Sequence, residues 1–136
     1  MNQIAFAVLA AVAVGSAHAR PTDGTFRPCV RPPGVESIRA RAELPQALRE
    51  KFRTVAMPGE YWNPSDAGLP GSGFDFVWHE RNRWVVLIGR GGIATVFGVK
   101  AFDVSADGKS AEELPVPDDT DGAQSLCQLA AGYFKP

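Results

Sequence analysis

The sequence predicts an α+β fold: a four-stranded antiparallel meander sheet with two short helices packed on it and its ends joined by a disulfide. Three observations lead there. From Gly73 to Ser105 the chain reads GFDFVWHERNRWVVLIGRGGIATVFGVKAFDVS, its densest β-branched and aromatic stretch, cut by two short polar or glycine-containing breaks. Consecutive antiparallel strands read this way. Two stretches with apolar residues at helical spacing flank it. Two cysteines, Cys29 and Cys127, stand toward opposite ends of the chain.

Taken in order, residues 1–19 read as a signal peptide. Ile4 to Val14 is an apolar run of signal-core length, too short for a membrane span, and Ala17-His18-Ala19 places small residues where a signal peptidase checks them. Cleavage is expected before Arg20, with no lipid anchor and no membrane insertion afterwards. Residues 20–42 are rich in Pro, Arg and Gly; Pro28, Pro32 and Pro33 oppose helix and central strand alike. An extended N-terminal arm is expected, with a short strand over Glu36 to Arg41 whose Val35 and Ile38 point inward. The arm packs on a single domain formed by residues 43–136.

Glu43 to Val55 reads as the first helix, since Leu44, Leu48, Phe52 and Val55 recur at helical spacing and Pro45 suits a first turn. Met57 to Ser72 is a long loop punctuated by Pro58, Pro64 and Pro70, and Tyr61 and Trp62 sit near its middle. Such loops inside small domains are more often functional than average. Phe74 to His79 forms the first sheet strand, with Phe74, Phe76 and Trp78 on one face and Asp75, Val77 and His79 on the other. Glu80-Arg81-Asn82 turns the chain. Trp84 to Ile88 is apolar throughout, so both its faces are buried and it is central. After the Gly89-Arg90-Gly91-Gly92 reversal, Ile93 to Val104 is a long strand in which Gly98 marks a bulge or a close backbone approach. Asp107-Gly108 signals a two-residue hairpin leading to a polar edge strand, Ser110 to Leu114. A second helix runs from about Gly122 to Tyr133, with Cys127 at the edge of its apolar stripe and its N-terminus capped by one of the residues Asp118 to Asp121.

Two cysteines in an exported chain imply the pairing Cys29–Cys127, which closes a loop of about 100 residues and is worth roughly 4 to 5 kcal/mol in the chain-entropy account. Fourteen Lys and Arg against fifteen Asp and Glu give a formal net charge of −1. There is no electrostatic drive toward nucleic acid. A periplasmic or secreted location follows from the signal peptide and the disulfide together.

No residue constellation dictates a chemistry. His79 is the natural catalytic suspect, with Asp75 and Glu80 as nearby carboxylates, but strand neighbours point to opposite faces and Glu80 is poorly placed to orient it. Ser72 in PGSG lacks the frame of a nucleophile elbow. The acidic run Asp118-Asp119-Thr120-Asp121-Gly122 does not align with a calcium loop, because Pro117 and Gln128 fall on ligand positions. Gly89 to Ala94 lacks the following helix that a dinucleotide fingerprint needs. No metal or cofactor is expected.

Two apolar sheet faces and only two short helices argue for binding, because helices sharing one face would leave the other to a partner. The expected function is a protein-binding module of the envelope, concretely an inhibitor or immunity protein for an envelope-acting hydrolase or toxin. Tyr61, Trp62, Arg81 and Arg90 are its contact residues, since large rigid side chains dominate binding hot spots. The rival readings are a small envelope enzyme or ligand-binding protein using His79, and a self-associating structural protein.

Overall fold

The computed structural model of the chain describes residues 28–91, 94–116 and 125–135. The expected signal peptide, the first residues of the arm, Gly92 and the acidic run lie outside them. Five antiparallel strands form one sheet in sequence order: β1 (Glu36–Ser37), β2 (Ser72–Glu80), β3 (Arg83–Arg90), β4 (Val96–Val104) and β5 (Ala111–Glu113). The meander therefore has five strands, not four. The added one is the short strand of the arm, whose register pairs Glu36 with His79 and Ser37 with Trp78. Helix α1 (Gln46–Lys51) precedes β2 and α2 (Leu126–Gly132) follows β5.

The arm reverses through Pro32-Pro33-Gly34-Val35. Val35 N–H donates to the Pro32 carbonyl at 3.2 Å and Gly34 takes φ 81°, the conformation a type II turn demands of its third residue. Val35 and Ile38 are both buried, as expected, but three residues apart on a strand they enter opposite faces of the sheet.

β3 is the doubly buried centre. Trp84, Val86 and Ile88 face the layer containing α1, where Leu44, Leu48, Phe52, Phe74, Phe102 and Val104 also pack. Val85 and Leu87 face the layer containing α2, with Phe76, Trp78, Val99, Ala101 and Ala130. One helix covers each face. The premise that both helices share a side does not hold, and the shortage of cover inferred from it disappears.

Three local departures have physical causes. Phe74, Phe76 and Trp78 do not share a face, because the register passes from Phe74–Ile88 to Phe76–Leu87 and leaves Asp75 as an extra residue. This β-bulge sends Phe74 to the α1 side, and Phe76 and Trp78 stack on each other at 3.8 Å on the α2 side. Gly98 carries no bulge; it pairs regularly with Ile88, and a Cβ added there would meet nothing within 4 Å. The turn after β4 is longer than two residues. Ser105 N–H donates to the Ser110 carbonyl at 2.9 Å, Gly108 N–H to the Ser105 carbonyl at 2.9 Å, and Gly108 adopts φ 74°.

The helices are shorter than their apolar stripes. Leu44 lies in a 3₁₀ turn's exit and Phe52 just past α1, whose end is held by Arg41 donating to the carbonyls of Phe52 and Val55. α2 begins at Leu126, and its cap is Ser125 rather than one of the upstream acids. Ser125 Oγ accepts from Gln128 N–H while Gln128 Oε1 accepts from Ser125 N–H, both at 3.2 Å, a reciprocal capping box. Cys127, in its first turn, is bonded to Cys29 with Cα atoms 5.1 Å apart. The arm and α2 are thus clasped on the same side of the sheet. Arg83 ties the far end of α2 down by donating to both Asp103 carboxylate oxygens, at 2.7 and 3.2 Å, and to the Tyr133 carbonyl at 2.9 Å.

Candidate functional site

The loop between α1 and β2 is ordered by its own turns. Met57-Pro58-Gly59-Glu60 closes with Glu60 N–H on the Met57 carbonyl at 3.0 Å and Gly59 at φ 86°, a type II turn with proline and glycine where that turn wants them. Glu60 Oε1 returns to accept from Met57 N–H at 3.0 Å. Further on, Asn63 N–H donates to the Pro70 carbonyl at 2.9 Å and shuts off the segment between them. Inside it, Asn63 Oδ1 accepts from Ser65 N–H and Asp66 Oδ1 from Gly68 N–H, both at 2.9 Å. These are the self-capping turns that Asn and Asp favour. A parallel bridge between Ala56 and Gly73 anchors the loop base to β2.

Trp62 locks the loop onto the sheet. Its indole lies over Gly73 and Gly89, cross-strand partners in β2 and β3: a Cβ at Gly73 would sit 2.2 Å from Trp62 Cδ1, and one at Gly89 2.9 Å from Trp62 Cζ2. The two glycines form a flat seat that no side-chain-bearing residue could offer. Pro64 rests on Gly91 in the same way, where a Cβ would fall 1.9 Å from its Cγ. Tyr61, one residue earlier, is 72 % exposed.

The four expected contact residues therefore divide. Trp62 is half-buried and structural; Tyr61 stands free beside it. Arg90 is exposed at the same end of the sheet, pairing in register with Ser72 on one side and Val96 on the other, and Val96 is 67 % exposed. Arg81 lies at the opposite end, beyond Arg83, and β3 alone separates the two ends by roughly 23 Å. It is the only described non-glycine residue at positive φ, 55°, in the two-residue turn between β2 and β3. Sequence reading missed Val96 because it reads there as an interior strand residue. It becomes exposed because it begins its strand, next to the loop.

His79 is placed otherwise than the enzyme reading expects. Its Nε2 is 3.0 Å from Glu36 Oε2 on β1, so its carboxylate partner is Glu36 rather than Asp75 or Glu80. Its ring stacks on its cross-strand partner Trp84 at 4.1 Å and 8°. Nδ1 is buried without a hydrogen-bond partner among the described residues. Asp75 projects elsewhere, from the bulge, and partial burial raises its carboxyl above the usual range. Among the described residues no cluster of three or more His, Cys, Asp or Glu side chains is arranged to hold a metal ion, and no helix is long and apolar enough to cross a membrane. No family model matches the chain, nor does any curated protein or solved structure.

Proposed function

We propose that the chain is a protein-binding module working outside the cytoplasm, with the loop-bearing end of the sheet as its contact surface. An inhibitor or immunity protein for an envelope-acting hydrolase or toxin is the concrete form of this reading. The observation that carries it is Tyr61: a large aromatic left in solvent on a loop braced by two type II or Asx-type turn systems and by Trp62 on its glycine seat. A rigid loop gives up little conformational entropy on binding, which is what lets an exposed aromatic act as an anchor. Arg90 and Val96 supply a cation and an apolar contact at the same end. The Cys29–Cys127 disulfide supports action in an oxidising compartment.

The test is quantitative capture from envelope extract with wild type, Tyr61→Ala and Arg81→Glu. Tyr61→Ala should lower recovery of a specific partner at least tenfold with an unchanged melting temperature, because the side chain is already in water. Arg81→Glu, at the far end, should leave recovery unchanged. Equal recovery by wild type and Tyr61→Ala would overturn the assignment. Sedimentation velocity of the purified protein distinguishes it from self-association, which would show as a concentration-dependent dimer lost in Tyr61→Ala.

A further inference from the structure

A second region has the makings of a ligand site. Among the described residues, the outer edge of β2 is covered at two places. Ala56 hydrogen-bonds to Ser72 and Phe74, at 3.0 and 2.9 Å, and the arm takes over at Val77, whose carbonyl accepts from Ile38 N–H at 2.9 Å. The bulge at Asp75 sits in the gap between them, and beside it opens a recess of about 590 Å³. Bulges at sheet edges characteristically re-aim a side chain. Here the extra residue carries a carboxyl to the lip of the recess.

The opposite walls belong to the arm. Arg31 comes just before the Pro32–Val35 turn, held by the neighbouring disulfide at Cys29, and Arg39 comes just after Ile38. Reversal of the chain between them brings both guanidinium-bearing residues to one recess. The stacked Phe76 and Trp78 contribute an aromatic floor. Among the described residues neither arginine has a hydrogen bond or ion pair, and Asp75 has no cation within 4.0 Å. Partial burial alone raises the Asp75 carboxyl, as expected of an acid whose neighbouring arginines stand too far off to hold it down. Two cations and one carboxyl, all unmatched, thus face a gap of ligand size.

We propose that this recess binds a small zwitterion, a free amino acid or the size of a dipeptide, with its carboxylate on Arg31 and Arg39 and its ammonium on Asp75. Guanidinium forks match carboxylate geometry, and charge-assisted hydrogen bonds are the strong ones. The aliphatic part of the ligand lies on the aromatic floor. Asp75 sets the selectivity: a lone pair of arginines would accept any anion, whereas a carboxylate opposite them repels a dianion and favours a ligand with a positive end.

The experiment is an NMR titration of the disulfide-intact protein with L-alanyl-L-alanine, its C-terminal amide, its N-acetyl derivative and inorganic phosphate, read at the Phe76 and Trp78 amides and the Trp78 indole. The dipeptide should give saturable shifts. The amide and Arg31→Gln or Arg39→Gln should each weaken binding about tenfold. Asp75→Asn should erase the preference for the free amine over the acetylated form while leaving the need for the carboxylate. All three positions are at the surface, and unchanged melting curves would show that the variants fold. No saturable shift with the dipeptide, equal binding of the capped forms, or tighter binding of phosphate would each overturn the proposal.

Discussion

Replacing Gly73 by alanine should unseat Trp62 and release the loop that presents Tyr61. The added methyl would lie 2.2 Å from Trp62 Cδ1, 2.3 Å from Nε1 and 2.8 Å from Cγ. Carbon atoms in contact need about 3.5 to 4.0 Å, so the ring must rise by more than an ångström or swing away. Gly73 is pinned between the ladder to Gly89 and the bridge to Ala56, which leaves the loop as the part that yields. If half of the indole's surface, about 80 Å², returns to water, the loss at about 25 cal/mol/Å² is about 2 kcal/mol. Alanine's better behaviour in a strand recovers about 0.5 kcal/mol of that. Gly98→Ala is the matched control, because its methyl meets nothing within 4 Å, and it should be neutral or slightly stabilising. The assay combines urea melts with tryptophan emission: Trp78 and Trp84 are buried, so a red shift before the main transition reports Trp62. Exchange of the Asn63 amide, bonded to the Pro70 carbonyl, should accelerate in parallel. An unshifted emission spectrum and unchanged Asn63 protection in Gly73→Ala would refute the glycine-seat argument.

Three other consequences are open to measurement. Because the folded Asp75 carboxyl titrates above its ordinary value of 3.8, the native state holds its proton more tightly than the unfolded chain; stability should fall as pH rises from about 3.8 through the raised value, and Asp75→Asn should remove that slope from pH-dependent urea melts. Reducing Cys29–Cys127, 98 residues apart, should cost up to about 4 to 5 kcal/mol and lower the melting temperature on the order of 15 °C; exchange should speed first in α2 and the arm, and uniform acceleration across β3 and β4 would contradict the clasp's local role. Arg83→Lys keeps the charge but loses the fork to Asp103 and the reach to Tyr133; the pair is partly in solvent, so a cost of about 1 kcal/mol is expected, with faster exchange at the end of α2 and none at α1.

How much of this was legible in the chain depends on whether a feature is set by its own sequence or by what lies across from it. The five apolar residues from Trp84 to Ile88, β-branched and aromatic in the main and bounded by turn signals, read as a strand buried on both sides, and two cysteines have only one pairing. Asp75 is the opposite case. Phe74-Asp75-Phe76-Val77-Trp78 looks like an alternating strand, yet the extra residue shifts Phe74 to the other face. The bulge lies between the two elements that flank β2, the Ala56 bridge and the two-residue β1, neither of which has a periodic signature. The glycines make the same point. Gly98 attracts attention as an isolated glycine in a strand and does nothing unusual, whereas Gly73, read only as the start of the strand-rich stretch, and Gly89, read as part of a reversal, are the ones approached closely. The signal was present in their being cross-strand partners, but it needs the register to be seen.

The two faces of the sheet are held by different means, and that bears on where a ligand or partner can act. On the α1 side, Leu48, Phe52, Phe74 and Phe102 interlock, with Phe52 edge-on to both other rings at 5.2 and 5.6 Å. Arg41 locks the end of α1 from the arm side. This face is held by side-chain packing and the Arg41 hydrogen bonds, with no covalent tie. On the α2 side the helix is seven residues long and only Ala130 is fully buried. A helix of two turns has little stability of its own, so this face relies on the disulfide at one end of α2 and Arg83 at the other. The same tether fixes Cys29, and through it the wall that carries Arg31. The face that depends on these ties is also the one on which the arm and the Trp62 seat lie, and covalent closure there sets the position of groups that packing leaves unmatched.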